Sequence, residues 1–471
     1  MGMTKKKKIM ITIVSVILGI MVAAYIVTAV FFHNHFYSGT NINGINCTNM
    51  KVNEVKKELA NQVQNYSLNI QKIDGSAETF TAGQLQLSFA DNGEIDKIME
   101  NQNSWKWIVK AFQKKTYTLK IPINLSDEIL SSTVDGLDFM QEENITLPQD
   151  AAVGDTDTGY TVTAEVIGNQ PDRDKLLSAL KDTILSGKSE LNLDKAGCYV
   201  KPAVYQNDEN LINRVNHLNQ LVSANVTMNF GSGRVETVGP QLLKTWVAQD
   251  ESGNDLIDPN QISAYVGQLA SKYNTVKASR SFTTSNGSTV QLKGGDYGWK
   301  LDQEKTAQNL TDAINSGTQG EVEVVYANTA RSRESNDIGN TYIELSIDQQ
   351  TLWCYVDGKL LVSTPVVTGN ISKGNDTPRG GVWKIKGKRT DYIMTGKINP
   401  ATGQPSYRTH CDYWIPYSED FTIGIHDLAS RAEYGGDIYK TNGSHGCVNT
   451  PLSAVSQIFN VVSAGFPVIV Y

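Results

Sequence analysis

Two short segments near the C-terminus, Gly424-Ile425-His426-Asp427 and Ser444-His445-Gly446-Cys447-Val448-Asn449, bring an imidazole and a thiol into one stretch of chain. A thiol attacks a carbonyl only as its anion, and a nearby imidazole can remove the proton or hold the resulting thiolate. Cys447 is therefore the candidate nucleophile and His426 the candidate proton acceptor and donor. Gly446 removes side-chain bulk beside the thiol, so the N–H groups of Gly446 and Cys447 can approach a substrate carbonyl and stabilise an oxyanion. His426 lies 21 positions before Cys447. It can pair with the thiol if the two segments are adjacent strands or loops, its ring oriented by Asp427 or by the backbone carbonyl of Ser444.

Competing chemistries find less support. The chain holds no Gly-x-Ser-x-Gly, no Gly-x-x-x-x-Gly-Lys and no Cys-x-x-Cys, which leaves cysteine chemistry. His410, Cys411, His426, His445 and Cys447 form a pool of zinc ligands, but the only close pairs, His410-Cys411 and His445-x-Cys447, have poor spacing for zinc. No metal or cofactor is expected. The other cysteines, Cys47, Cys198, Cys354 and Cys411, are scattered, and no disulfide framework is legible. Cys354 keeps register with the apolar residues of Leu352-Trp353-Cys354-Tyr355-Val356 and reads as a core thiol, and Cys47 and Cys198 read as structural.

The elements that must position Cys447 and His426 follow a period of two. Tyr342 to Asp348 and Leu352 to Val356 alternate polar and apolar residues, and Asp357-Gly358 then signals a hairpin into Lys359 to Val367. Pro451 followed by Val455, Ile458 and Val462 predicts a helix over about residues 451–462, which leaves Cys447 on a loop or strand end before it. Between Asp391 and Phe421, Tyr392, Tyr407, Tyr413, Trp414 and Tyr417 occur among glycines and prolines, which suggests a substrate lid. Trp414 and Tyr392 are the candidate substrate contacts there.

At 471 residues, 40% hydrophobic and 19% charged, the chain has room for about three domains. The net charge of -7 argues against nucleic acid as a partner. The basic cluster Lys5 to Lys8 precedes an apolar run, Ile9 to Phe32, that as a helix would be roughly 36 Å long, enough to span a bilayer. It is too long for a cleaved signal and lacks a convincing small-x-small cleavage site. The lysines place residues 1–8 in the cytoplasm, 9–32 as a membrane anchor and the remainder outside.

An internal repeat follows the anchor. Gly168, Asp172, Lys175, Leu180, Asp182, Ile184, Ser186 and Gly187 recur at an offset of 130 residues as Gly298, Asp302, Lys305, Leu310, Asp312, Ile314, Ser316 and Gly317. Each copy reads as an Asp-capped helix ending at a Gly, leading into strand-like runs, Ser189 to Val200 and Glu321 to Tyr326. Residues 33–200 and 201–327 thus read as two related α+β modules, 328–340 as a polar linker and 341–471 as a mainly β domain.

His426, followed by Ser444-His445-Gly446-Cys447-Val448-Asn449, resembles the signature of the L,D-transpeptidase catalytic domain of bacterial cell-wall enzymes. Thr377-Pro378-Arg379-Gly380 resembles that family's Thr-Pro-x-Gly segment, and Tyr413-Trp414 adds a further match. The tandem modules resemble the peptidoglycan-binding modules that often lie between a membrane anchor and this domain. The resemblance implies a β-sandwich in which Cys447 attacks the carbonyl of the L-centre at position three of a donor tetrapeptide stem and expels D-alanine. It further implies His426 as base and then acid, and oxyanion-hole N–H groups from Gly446 and Cys447. Ser444 would orient His426, His445 would shape the site, and Asn449 would meet substrate. The side-chain amine of an acceptor stem would then resolve the thioester into a 3→3 cross-link, and a carbapenem would acylate Cys447. Asp427 departs from the Gly or Ser that commonly follows the first His. Resolution of the thioester by water, giving an L,D-carboxypeptidase, and a non-catalytic wall-binding protein are the alternatives.

Overall fold

The computed structural model of the chain describes residues 4–334 and 336–471, so the first three residues expected in the cytoplasmic tail, and Ser335 of the expected linker, lie outside the described residues. The run that reads as an anchor forms one helix, Lys5–Asn34, with only Ala29 and Phe32 buried. Its length and composition suffice to cross a membrane.

The chain divides into two compact units, Met1–Ala152 with Val162–Ile212, and Val153–Thr161 with Asn213–Tyr471. The repeat is visible in both. In the first, Ser67–Gln71 pairs antiparallel with Ala77–Thr81 and parallel with Glu190–Asn192. In the second, Asn225–Asn229 pairs antiparallel with Val235–Val238 and parallel with Gln319–Val322. The helices that lead into the parallel strands, Arg173–Leu185 and Gln303–Asn315, have the same length. Asp172 and Asp302 accept the N–H of Lys175 and Lys305, each at 3.2 Å, and so cap them. The repeated Leu180, Ile184, Leu310 and Ile314 are all buried, as a period of about four requires for one apolar face. The strand-like runs are shorter than the sequence suggests. Beyond Asn192 the first copy turns, and in the second Tyr326–Asn328 pairs separately, with Lys300–Leu301.

The C-terminal part is built on two sheets. Strands β1 (Tyr342–Ser346), β2 (Thr351–Val356), β3 (Lys359–Pro365), β4 (Gly381–Lys384) and β9 (Pro467–Val470) form a five-stranded sheet in the order β3-β2-β1-β9-β4. Asp357 and Gly358, both at positive φ (50° and 77°), make the expected two-residue turn between β2 and β3. Strands β5 (Arg389–Thr395), β6 (Arg408–Pro416), β7 (Gly424–His426) and β8 (Val448–Asn449) form the second sheet, in that order. Helix α1 (Leu452–Val461) buries Ala454, Val455 and Ile458 in the core with Leu352, Ile415, Ile425 and Val468.

Two expectations are revised here. The aromatic stretch between Asp391 and Phe421 is not one continuous loop: residues 391–395 and 408–416 belong to β5 and β6, paired from Arg389↔Trp414 to Thr395↔Arg408, and only 396–407 and 417–421 lie outside these strands. The polar segment 328–340 is not free either. Ile338 is fully buried with Phe282, Leu292, Tyr297, Val382 and Ile469, and the Arg333 guanidinium lies 3.8 Å from the Trp299 ring centroid. The edge of β4 is met by the preceding module. Lys293 N donates to Gly380 O (2.6 Å), Val382 N to Gly294 O (3.2 Å) and Tyr297 N to Val382 O (3.1 Å). Glu344, fully buried on β1, accepts from Ser285 N (2.8 Å), Ser285 Oγ (2.6 Å) and Tyr471 Oη (2.6 Å), so its charge is hydrogen-bonded rather than stranded.

Candidate active site

Strand pairing closes the gap between the two chemical segments. β7 runs antiparallel to β6, with Trp414 opposite His426, and parallel to β8, with His426 opposite Asn449. Cys447 lies in the bend just before β8 and packs against Cys411 and Trp414, and Trp414 in turn stands beside His426, so the thiol and the imidazole border the same indole. The turn that delivers Cys447 is fixed from both sides. Gly446 sits at φ 116°, a conformation that L side chains rarely adopt, whereas nothing crowds its Cβ position closer than 3.4 Å. Backbone conformation rather than space therefore demands glycine there. Within the turn Ser444 Oγ accepts from Gly446 N (3.0 Å) and donates to Cys447 O (2.5 Å). From outside, buried Thr377 accepts from Gly369 N (2.9 Å) and donates to Gly446 O (2.8 Å), which gives the Thr-Pro segment its physical role.

His426 is buried, and its hydrogen bonds decide its tautomer. Nδ1 lies 2.6 Å from Asp427 O. A carbonyl can only accept, so Nδ1 carries the proton and Nε2 presents a lone pair. That lone pair faces Asn449 Nδ2 at 3.2 Å. Arg431 Nε donates to Asn449 Oδ1 at 2.9 Å, which sets the amide orientation, and Arg431 Nη2 donates to Asn442 O at 3.0 Å. A directed chain thus runs Arg431, Asn449, His426, Asp427 O. Desolvation holds the His426 pKa below its usual 6.5, against a smaller opposing pull from the Asp427 carbonyl. Burial likewise pushes the Cys447 thiol up to about 11, with a backbone bond to Gly424 acting the other way. The sulfur also makes a weak hydrogen bond to Thr422 O, at 3.7 Å. Among the described residues no hydrogen bond joins it to His426. The resting pair is thus a neutral thiol and a neutral imidazole, and attack requires a proton transfer between them.

Several sequence assignments change with this geometry. Ser444 does not orient His426, because its carbonyl is taken by Asn370 N (2.9 Å) and its hydroxyl by the turn; the Asp427 carbonyl performs that task. The Gly446 N–H already donates to Ser444 Oγ, so of the two expected oxyanion donors only the Cys447 N–H lacks an acceptor among the described residues. Asn449 is buried against His426 rather than exposed to substrate. Trp414 is buried too. It stacks on Tyr392 (centroids 5.4 Å apart, planes at 17°) and stands 5.6 Å from the imidazole, so it walls the base instead of offering a free contact. His445 is exposed and stacks on Tyr407 (4.9 Å, 20°). The Asp427 carboxylate neither meets the ring nor faces solvent, since it accepts from Asp412 N (3.0 Å) and Tyr413 N (2.8 Å) on β6. Arg431 escaped the sequence reading altogether, and no motif marks it.

These electrostatics predict a pH profile. Cys47, Cys198, Cys354 and Cys411 are buried, and all five cysteines are free, so only Cys447 is partly open to a reagent. Its thiolate fraction is small at neutral pH and grows as pH approaches the raised pKa. Alkylation of Cys447 by iodoacetamide, followed by peptide mass mapping, should accelerate about tenfold per pH unit from about pH 7 to about pH 10. A plateau near neutrality would mean a thiolate–imidazolium pair and would contradict the resting state described above.

Residues 340–470 match the family model of the L,D-transpeptidase catalytic domain, and residues 212–323 match a model described as "Putative peptidoglycan binding domain". Among solved structures, the chain is similar to the carbamoyl enzyme of Ldtfm with avibactam, at 30% identity over 55% of this chain and 98% of that one, with a TM-score of 0.44. A Cys-to-Ser variant of the Enterococcus faecium L,D-transpeptidase shares 29% identity over 56% of this chain and 100% of its own, with a TM-score of 0.43. The catalytic domain of the E. faecium L,D-transpeptidase acylated by ertapenem shares 40% identity over 28% of this chain and 98% of its own, with a TM-score of 0.25. No curated protein matches the chain.

Proposed function

Since this chain belongs to the L,D-transpeptidase family, we propose that it is a membrane-anchored enzyme that joins peptidoglycan stems through 3→3 cross-links, with Cys447 as nucleophile and His426 as base and acid. The observation that carries this reading is Trp414 packed between Cys447, partly open, and His426, whose Nε2 lone pair is fixed by its neighbours.

The steps follow from these groups. His426 Nε2 takes the Cys447 proton as the sulfur adds to the carbonyl of the third residue of a donor tetrapeptide. To do so it exchanges its contact with Asn449 for one with the thiol. The tetrahedral oxyanion receives the Cys447 N–H. Collapse breaks the peptide bond, the imidazolium gives its proton to the departing D-alanine amine, and a thioester remains. The side-chain amine of an acceptor stem then attacks the thioester, His426 accepts that proton, and the sulfur leaves and is reprotonated. Arg431 and Asn449 act as positioning residues through the His426 ring. Lys5 to Lys8 ahead of an apolar helix favour an N-terminus inside the cell and the catalytic domain outside, with the two modules as a spacer or wall-binding stalk. A carbapenem is expected to acylate Cys447, as ertapenem acylates the E. faecium domain.

The test is incubation of the protein with disaccharide-tetrapeptide and analysis by mass spectrometry. Cross-linked dimer with release of D-alanine is the expected product. Tripeptide without dimer would replace transpeptidation by an L,D-carboxypeptidase activity, and unchanged substrate would remove the enzymatic reading.

A further inference from the structure

The first unit carries a second apolar surface beside the N-terminal helix that the catalytic function does not use. Ser104–Lys106 and Trp107–Lys110 form two short helical turns. Their apolar side chains point outward: Trp105 is 56% exposed, Ile108 55%, Val109 65% and, just beyond, Phe112 80%. A short segment gains nothing in water from such a surface, and contiguous exposed apolar patches mark an interaction site. Its charge is equally uneven. No acidic residue lies between Glu100 and Asp127, whereas Lys106, Lys110, Lys114, Lys115 and Lys120 all do, in a chain whose net charge is -7. Lys5 to Lys8 is therefore not the only basic cluster.

The position of the segment says what the surface faces. Tyr25 of the Lys5–Asn34 helix donates its hydroxyl to Trp105 O, Trp107 Nε1 donates to Tyr25 O (3.2 Å), and the Tyr25 ring lies 6.1 Å and 5.9 Å from the rings of Trp105 and Trp107. Gln102 Nε2 donates to Phe32 O (2.8 Å) and His35 O (2.7 Å), and Tyr37 Oη donates to Asn103 O (2.5 Å). Phe112 shares a cleft with Val27, Thr28 and Phe31. The segment is thus fastened to the last third of the helix. A hydrocarbon core about 30 Å thick takes up about 20 helical residues. Counted from Ile9, the far boundary falls near Thr28, between Tyr25 and Phe32, where Trp105 and Trp107 sit. Tyr and Trp favour that depth because each joins an apolar ring to a polar group.

We propose that residues 104–115 form an interfacial membrane element, in which Trp105, Ile108, Val109 and Phe112 enter the acyl boundary of the leaflet from which the helix emerges and Lys106, Lys110, Lys114 and Lys115 meet the phosphates of anionic phospholipids. The inference rests on the anchor reading and adds a second, peripheral contact to it. Its effect is to hold the start of the first unit against the bilayer surface instead of leaving it on a free stalk.

The experiment uses the full chain in vesicles of phosphatidylglycerol with brominated acyl chains, which quench only tryptophans at the bilayer. Two of the chain's seven tryptophans are in position to respond. The wild type should lose part of its emission, and Trp105→Phe should reduce the quenchable part by about half. Ile108→Ser with Phe112→Ser should reduce it at least about twofold without unfolding, because both side chains are already exposed. Replacing phosphatidylglycerol by phosphatidylcholine should weaken quenching in the wild type but not in a variant with the four lysines changed to Gln. Alkaline extraction of the same vesicles reports the helix separately. Resistance to extraction without quenching would overturn the interfacial element and leave the anchor intact. Quenching in a chain that alkali extracts would support the element and overturn the anchor. Equal wild-type quenching in both lipids would overturn the role of the lysines.

Discussion

Cys447→Ala is expected to abolish the carbapenem mass adduct and lower cross-linking by about 10⁴-fold or more, which corresponds to at least about 5.5 kcal/mol of transition-state stabilisation. The size follows from the division of labour in the site. His426 stays neutral and buried, the Cys447 N–H offers a single free donor, and neither can form a thioester without the sulfur. Folding should barely change, because Cys447 is only half-buried and the polar contacts of its sulfur, to Thr422 O and the Gly424 backbone, are weak ones. A cost of about 1 kcal/mol or less is therefore expected for the lost methylene-sized packing. Intact-mass spectrometry after exposure to a carbapenem, beside a thermal melt, separates the two effects. An adduct on the alanine variant, or turnover within tenfold of wild type, would exclude Cys447 as the nucleophile.

Arg280→Met should produce the largest loss of stability. Arg280 and Asp337 are both buried and their charges meet at 3.1 Å. The guanidinium also donates to Thr275 O (2.5 Å), Ala278 O (3.0 Å), Tyr297 O (3.2 Å) and Asn336 O (3.2 Å), so one side chain satisfies four carbonyls of the hairpin region and the segment after it. Methionine fills similar volume but leaves the Asp337 carboxylate buried without its counter-ion. Breaking a buried pair from one side typically costs about 3–5 kcal/mol. In a unit of this size that should lower the melting transition by about 10 °C in calorimetry. Arg280→Met combined with Asp337→Leu should recover part of the loss, because it removes the stranded charge. A shift of less than about 2 °C for the single variant would mean that water reaches Asp337 and that the clamp is weak.

How much of this was legible in the sequence depended on whether a partner lay nearby in the chain. The capped helices of the repeat were readable because Asp172 and Lys175, like Asp302 and Lys305, interact within one turn. The Asp357-Gly358 hairpin was readable for the same reason. His426 and Cys447 stood out by residue type and motif. Asn449 was misassigned because its role depends on the parallel register of β7 and β8, which no local pattern reveals. Arg431 was invisible because its meaning comes only from Asn449. The aromatic segment passed for a lid because residues such as Tyr413, Trp414 and Ile415 are all partly or fully buried, which masks the two-residue period of a strand. Residues 328–340 looked like a free tether because polar composition was the only local signal. The groups that bury Ile338 and Asp337 come from residues 280–297, 382 and 469.

The bonds between residues 293–297 and β4 have a mechanical meaning. They join the second module to the catalytic sheets alongside the covalent connection, so a pull between the two loads them as well as the chain and takes up the slack that a polar tether would otherwise provide. The joint before the nucleophile is braced. Inserting a few residues into 328–340 would add length without adding reach, because the brace, rather than the covalent connection, sets how far Cys447 can travel from the module that precedes it.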